Sequence, residues 1–152
     1  MYKYGDIILF KPIGLYGKAI TFVDGSPISH IGVFWKYEKG IPLFFESHEK
    51  KGGFVISKLH EWGNYEVRRP KKHLKIRPVK EVLTKVGTEY DKWLIIDILL
   101  NKLSEDAVYN NNENFFICSE LADYIFFYKV GKGALATPKT FYISNEFEKI
   151  ND

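Results

Sequence analysis

Two apolar runs joined by a tight connection constrain this chain more than any other feature. The first is His30-Ile31-Gly32-Val33-Phe34-Trp35-Lys36-Tyr37, and the second is Ile41-Pro42-Leu43-Phe44-Phe45-Glu46-Ser47-His48. Glu38-Lys39-Gly40 lies between them. Runs rich in aromatic and β-branched residues, broken by a short Gly-containing link, form an antiparallel hairpin. A turn centred on Lys39 sets His30 opposite His48 and Gly32 opposite Glu46. Side chains alternate along a strand, so these four residues share one face. His30 and Glu46 are then diagonal neighbours, close enough for the carboxylate to accept a proton from an imidazole nitrogen. A slip of one residue turns Glu46 to the other face.

The rest of the first half reads the same way. Ile7-Ile8-Leu9-Phe10 is a short buried strand, and Leu15 to Val23 is a short helix with Ile20 and Val23 facing inward. Asp24-Gly25-Ser26-Pro27 is a turn. Phe54-Val55-Ile56-Ser57 and Tyr65-Glu66-Val67-Arg68-Arg69 are further strands, the latter stopped by Pro70. After Pro78 the period changes. Val79, Val82, Leu83 and Val86 follow at helical spacing, and Gly87 suits the exit. Tyr90-Asp91 opens an apolar segment to about Leu103, and Asn110 to Asn114 is a polar loop. Cys118 to Tyr128 is a helix ending near Gly131, and Pro138 starts a last one. Strands first and helices after imply a single α+β domain over residues 1–152, an antiparallel meander with helices on one face.

Composition narrows the classes. The chain is 45% apolar and 16% aromatic, enough for a sizeable core and for a site that holds something apolar. Its net charge of +3 comes from 22 basic and 19 acidic residues, the basic ones concentrated between Arg68 and Arg77. That run can touch phosphate or an anionic lipid surface, and its plainer reading is a solvated strand end and loop. No aromatic-interleaved groove or zinc-finger spacing points to nucleic acid. Trp93 to Leu100, interrupted by Asp97, is too short to span a bilayer. With no signal-peptide pattern at Met1, the expected location is the cytoplasm. The sequence leaves the oligomeric state open.

Cys118 is the only cysteine, which excludes an intrachain disulfide and fits a reducing compartment. Placed in the first turn of a helix, its thiol faces unpaired backbone N–H groups that favour the thiolate. Cys118 as nucleophile, His30 as base and Glu46 as orienting group form a set that can attack a carbonyl carbon and pass through a thioester. Each residue also has a plainer reading. Cys118 can fill core, His30 can be a satisfied turn histidine, and Glu46 can face solvent. A zinc site from His30, Glu46, His48 and Cys118 lacks a tight ligand motif. No metal or cofactor is expected.

Five segments together resemble the circularly permuted papain-like group of the NlpC/P60 superfamily, the YaeF/YiiX type of permuted amidase-like proteins. They are Gly5-Asp6-Ile7-Ile8-Leu9-Phe10, Ser29-His30-Ile31-Gly32-Val33, Phe45-Glu46-Ser47, Gly87-Thr88-Glu89-Tyr90-Asp91 and Phe116-Ile117-Cys118-Ser119-Glu120-Leu121, with Thr137-Pro138 beyond. The resemblance implies a barrel-like antiparallel sheet with the Cys118 helix against it. It implies that Cys118, His30 and Glu46 are catalytic and that Tyr90 contacts substrate. The activity it implies is a thiol hydrolase of an amide bond in a peptide or peptidoglycan fragment. Two alternatives stand beside it: a thiol acyl hydrolase or acyltransferase acting on a lipid, and a binding protein without catalysis. The expected partner is accordingly a small peptide, a cell-wall fragment or an acyl lipid.

Overall fold

The computed structural model describes residues 1–61, 63–94, 115–132 and 135–150. Eight strands form one sheet: β1 (Ile7–Phe10), β2 (His30–Glu38), β3 (Ile41–His48), β4 (Gly53–Lys58), β5 (Tyr65–Pro70), β6 (Glu89–Tyr90), β7 (Phe115–Phe116) and β8 (Phe147–Lys149). Their order is β7-β6-β4-β3-β2-β1-β5-β8. Every pairing is antiparallel except β6 with β7. The sheet is a curled half-barrel, antiparallel as expected apart from the two-residue β6–β7 pairing that makes it mixed. Among the described residues four α-helices accompany it: α1 (Gly14–Asp24), α2 (Val79–Leu83), α3 (Cys118–Ile125) and α4 (Pro138–Ile143).

The strands read as unbroken apolar runs because both faces of the sheet are buried. Ile7, Leu9, Ile31, Val33, Phe45 and Phe54 pack against Leu121, Ala122, Ile125 and Phe126 of the α3 region. On the other face Ile8, Phe10, Phe34 and Phe44 pack with Leu59 and Val67. Helices on one face, as the sequence implied, account for only the first of these layers.

The hairpin register arrives by an unexpected route. Its turn is the two-residue Lys39-Gly40, both at positive φ (50° and 80°), and it pairs Glu38 with Ile41. That frame alone misaligns the far end by one residue. A β-bulge between Phe34 and Lys36 absorbs the difference, so that Phe34 pairs with Phe44 and Val33 with Phe45. Continued beyond Val33, this frame sets Gly32 beside Glu46 and His30 beside His48, the alignment read from the sequence. Gly32 serves the packing too, since a Cβ there would collide with the Phe44 ring.

Helix α3 stops earlier than its apolar pattern implies. Phe127 and Tyr128 adopt left-handed backbone conformations, and the Asp123 carboxylate accepts from the N–H groups of Val130 and Gly131 to hold the turn. The apolar segment beyond Leu94 and the Asn110–Asn114 loop lie outside the described residues.

Candidate functional site

Glu46 is wholly buried in the middle of an apolar strand, a position that costs several kcal/mol for an unpaired carboxylate. Here it has three partners. The His30 Nε2 lies 2.7 Å from one oxygen. The other oxygen accepts from the Ser57 hydroxyl and, at 3.0 Å, from Lys51 Nζ. Ser57 sits on the adjacent strand β4, and Lys51 comes from the short turn of residues 49–51. Burial pushes the Glu46 carboxyl up, but His30, Ser57 and Lys51 outweigh it and hold it at about 2. Sequence reasoning missed Ser57 and Lys51. It treated Lys50-Lys51-Gly52 as exposed turn, and only the unpaired look of Glu46 signalled that further partners were needed.

His30 is the first residue of β2, so its ring projects at the end of the sheet, where the first turn of α3 reaches it. Burial pulls its imidazole down. The charge of ionised Cys118, a hydrogen bond with Cys118 and the contact with Glu46 all act the other way and raise it to about 9. Cys118 is placed by two local devices. Ser47 donates its hydroxyl to the Phe116 carbonyl at 2.5 Å, and the Ile117 N–H donates to the Glu120 carboxyl at 3.1 Å. His48 faces the His30 ring edge-on at 5.4 Å, and its Nδ1 accepts from the Lys50 N–H. Burial and the neighbouring His30 charge lower its pKa.

His30, His48 and Cys118 line a cavity of about 260 Å³. Its apolar wall is Ile13, Tyr16, Ile20, Val23, Ile117 and Pro138, and its polar end is His30, Cys118, Tyr90 and Ser119. Gly17 lets α1 lie tight on Pro12, which leaves 3.1 Å between that backbone and an added Cβ. Asp24 closes the far end by accepting from the Lys139 N–H at 2.7 Å, tying α1 to α4. Tyr90 is hydrogen-bonded to Tyr16, and burial followed by the nearby Cys118 charge pushes its phenol up. The Ser119 hydroxyl is wholly buried and, among the described residues, has no hydrogen-bond partner. The structure thus brings Cys118, His30, Glu46 and Tyr90 into one place, and adds Ser119, which the sequence did not single out.

No family model matches this chain, and no curated protein matches it by sequence. Among solved structures it is similar to the YiiX protein of Escherichia coli O157:H7, described as a metalloprotein of DUF1105. The match has a TM-score of 0.64 over 98% of this chain and 96% of that one, at 16% identity. The chain has the circularly permuted papain-like fold.

That comparison corrects the chemistry expected of the site. The resemblance implied a thiol enzyme: a cysteine peptidase or amidase of peptides or peptidoglycan, or an acyl hydrolase or acyltransferase of lipids, each through a thioester. The solved structure with the permuted papain-like fold is described as a metalloprotein, so the fold does not bring thiol acyl chemistry with it. The assignment as a thiol hydrolase is withdrawn. A metal centre does not fit the described residues either. No three of His, Cys, Asp and Glu among them form a group able to hold an ion. His30 Nε2 is engaged by Glu46 and His48 Nδ1 by the Lys50 N–H.

Proposed function

We propose that this protein binds a small amphipathic molecule in the cavity between α1 and α3. The ligand's apolar body lies along Ile13, Ile20, Val23 and Ile117, and its polar group meets His30, Cys118, Tyr90 and Ser119. The observation that carries this reading is a cavity lined both by the apolar side chains of α1, with Ile13, Ile117 and Pro138, and by the polar groups of His30, Cys118 and Tyr90. Glu46 takes part indirectly, by holding the His30 ring and its charge.

The apolar wall favours an acyl chain over a short peptide or cell-wall fragment, which needs paired polar groups along its length. At about 260 Å³ the space lies near the lower end for small-ligand pockets, roughly 300 Å³, so it takes one chain and leaves the remainder at the mouth. Among the described residues no helix is long and apolar enough to cross a membrane. The free thiol suits a reducing compartment, and the cytoplasm is the location this proposal keeps.

The test is fluorescence of cis-parinaric acid on addition of protein, with decanoate and a muropeptide as competitors. Saturable binding displaced by decanoate is expected. Ile20→Asp, which places a charge in the apolar wall, should weaken it by about tenfold or more while circular dichroism stays unchanged. No saturable binding, or displacement by the muropeptide alone, overturns the reading.

A further inference from the structure

Helix α1 is apolar on two sides. Tyr16, Ile20 and Val23 line the cavity, whereas Leu15 and Phe22, seven residues apart on the opposite side, are 86% and 89% exposed. Ile13, at the N-cap, is 63% exposed. Ile13, Leu15 and Phe22 are three of the twelve exposed large apolar side chains found among the described residues and all fall in or beside α1, so this is a patch and not scatter. A helix that only closed a cavity would present polar residues on its outer side.

The charges around this patch are cationic. Lys18 lies between Leu15 and Phe22 on the exposed side of α1. Lys11 and Lys50 stand at the cavity beside the helix, and Lys139 reaches the Gly25 that ends it, its Nζ 3.4 Å from where a Cβ would sit. The acidic groups nearby are Glu49, which is exposed, and Asp24, which is buried and accepts from the Lys139 N–H. Protruding apolar side chains ringed by lysines match an anionic bilayer surface, where the side chains enter the acyl boundary and the ammonium groups stay with the headgroups.

We propose that α1 docks the protein on anionic lipid membranes through Leu15 and Phe22, with Lys18 and the flanking lysines meeting the headgroups. The docked helix carries the cavity on its inner side, so an acyl chain passes between the bilayer and the cavity beside α1. This second step rests on the ligand reading above; the docking itself does not.

Co-sedimentation with phosphatidylcholine vesicles, with and without abundant phosphatidylglycerol, tests the docking. Wild type should bind the phosphatidylglycerol vesicles and release them at high salt. The double variant Leu15→Ser, Phe22→Ser should bind about tenfold or more weakly, and Lys18→Glu a few-fold more weakly. The replaced side chains are exposed and outside the cavity lining, so the double variant should fold normally and bind cis-parinaric acid like wild type. Docking is overturned if wild type ignores the anionic vesicles, or if the double variant binds them as well as wild type does. It is equally overturned if lipid-free sedimentation shows a dimer that the double variant dissolves, which would make the patch a contact with a second copy. Loss of cis-parinaric acid binding in wild type with vesicle binding intact would strike the ligand reading and leave docking standing.

Discussion

Two buried glutamates lie close to the same cavity and have opposite electrostatic fates. Glu46, in the sheet, is surrounded by His30, Ser57 and Lys51 and stays ionised down to about 2. Glu120, in the first turn of α3, is buried nearly as well but has, among the described residues, one backbone donor, the Ile117 N–H. Its burial and the charges of Asp91 and Asp123 outweigh that bond, and its carboxyl rises to about 7. Burial is common to both, so the difference comes from hydrogen-bond partners and neighbouring charges. One carboxylate is built to keep a histidine charged; the other is an acid whose ionisation the fold resists.

Replacing the two glutamates separates them most sharply. Glu46→Gln leaves the His30 and Lys51 charges without their buried counterpart and should lower stability by about 3 kcal/mol near neutral pH, read from urea unfolding. A loss under about 1 kcal/mol would erase the contrast. Glu120→Gln should act the other way, raising stability by about 2 kcal/mol at pH 8 and by little at pH 4. The sign follows from the pKa values. Glu120 is raised from 4.5 to about 7, so its contribution is intact below pH 4.5 and is lost as pH rises through 7. Glu46 is lowered from 4.5 to about 2, so its contribution is present above 4.5 and is lost as pH falls through 2.

Smaller effects sharpen the same picture. Ser57→Ala removes one hydroxyl partner of Glu46 and should cost about 1–2 kcal/mol in the same urea assay. Lys51→Met should cost about 1 kcal/mol or less, because that side chain is 36% exposed and its ion pair is screened. A Lys51 effect larger than the Ser57 effect would mean that charge, not enclosure, sets the Glu46 environment.

Much of this was legible because strands impose a rigid two-residue alternation. Once β2 and β3 were read as a hairpin, His30 and Glu46 had to share a face, and the structure puts them 2.7 Å apart. Even so, the alignment came through a bulge at Trp35 that no residue pattern announces, offsetting a turn one residue shorter than expected. The short strands β6, β7 and β8 escaped notice because two or three residues carry no periodic signal. Ser57 and Lys51 escaped because their contacts with Glu46 depend on how β4 is laid beside β3. The exposed side of α1 was also hidden, since Leu15 and Phe22 look like core residues until burial is known. The chemistry was misread for a different reason: it was inferred from the residue set Cys118, His30 and Glu46 and strengthened by a fold resemblance, and the fold is shared with a protein described as a metalloprotein.

Cys118 and, after it, Glu46 keep His30 charged at the polar end of the cavity, and an NMR titration of the His30 ring measures this directly. The chain has four histidines, so the resonance is assigned by its loss in His30→Gln. In wild type the ring should titrate near 9, well above the ordinary 6.5, so that its contribution to stability is complete below pH 6.5 and is lost as pH climbs through 9. In Glu46→Gln the midpoint should fall toward the ordinary value, and in wild type added decanoate should shift the His30 signals. A wild-type midpoint at or below 6.5, or one unmoved by Glu46→Gln, would contradict the account.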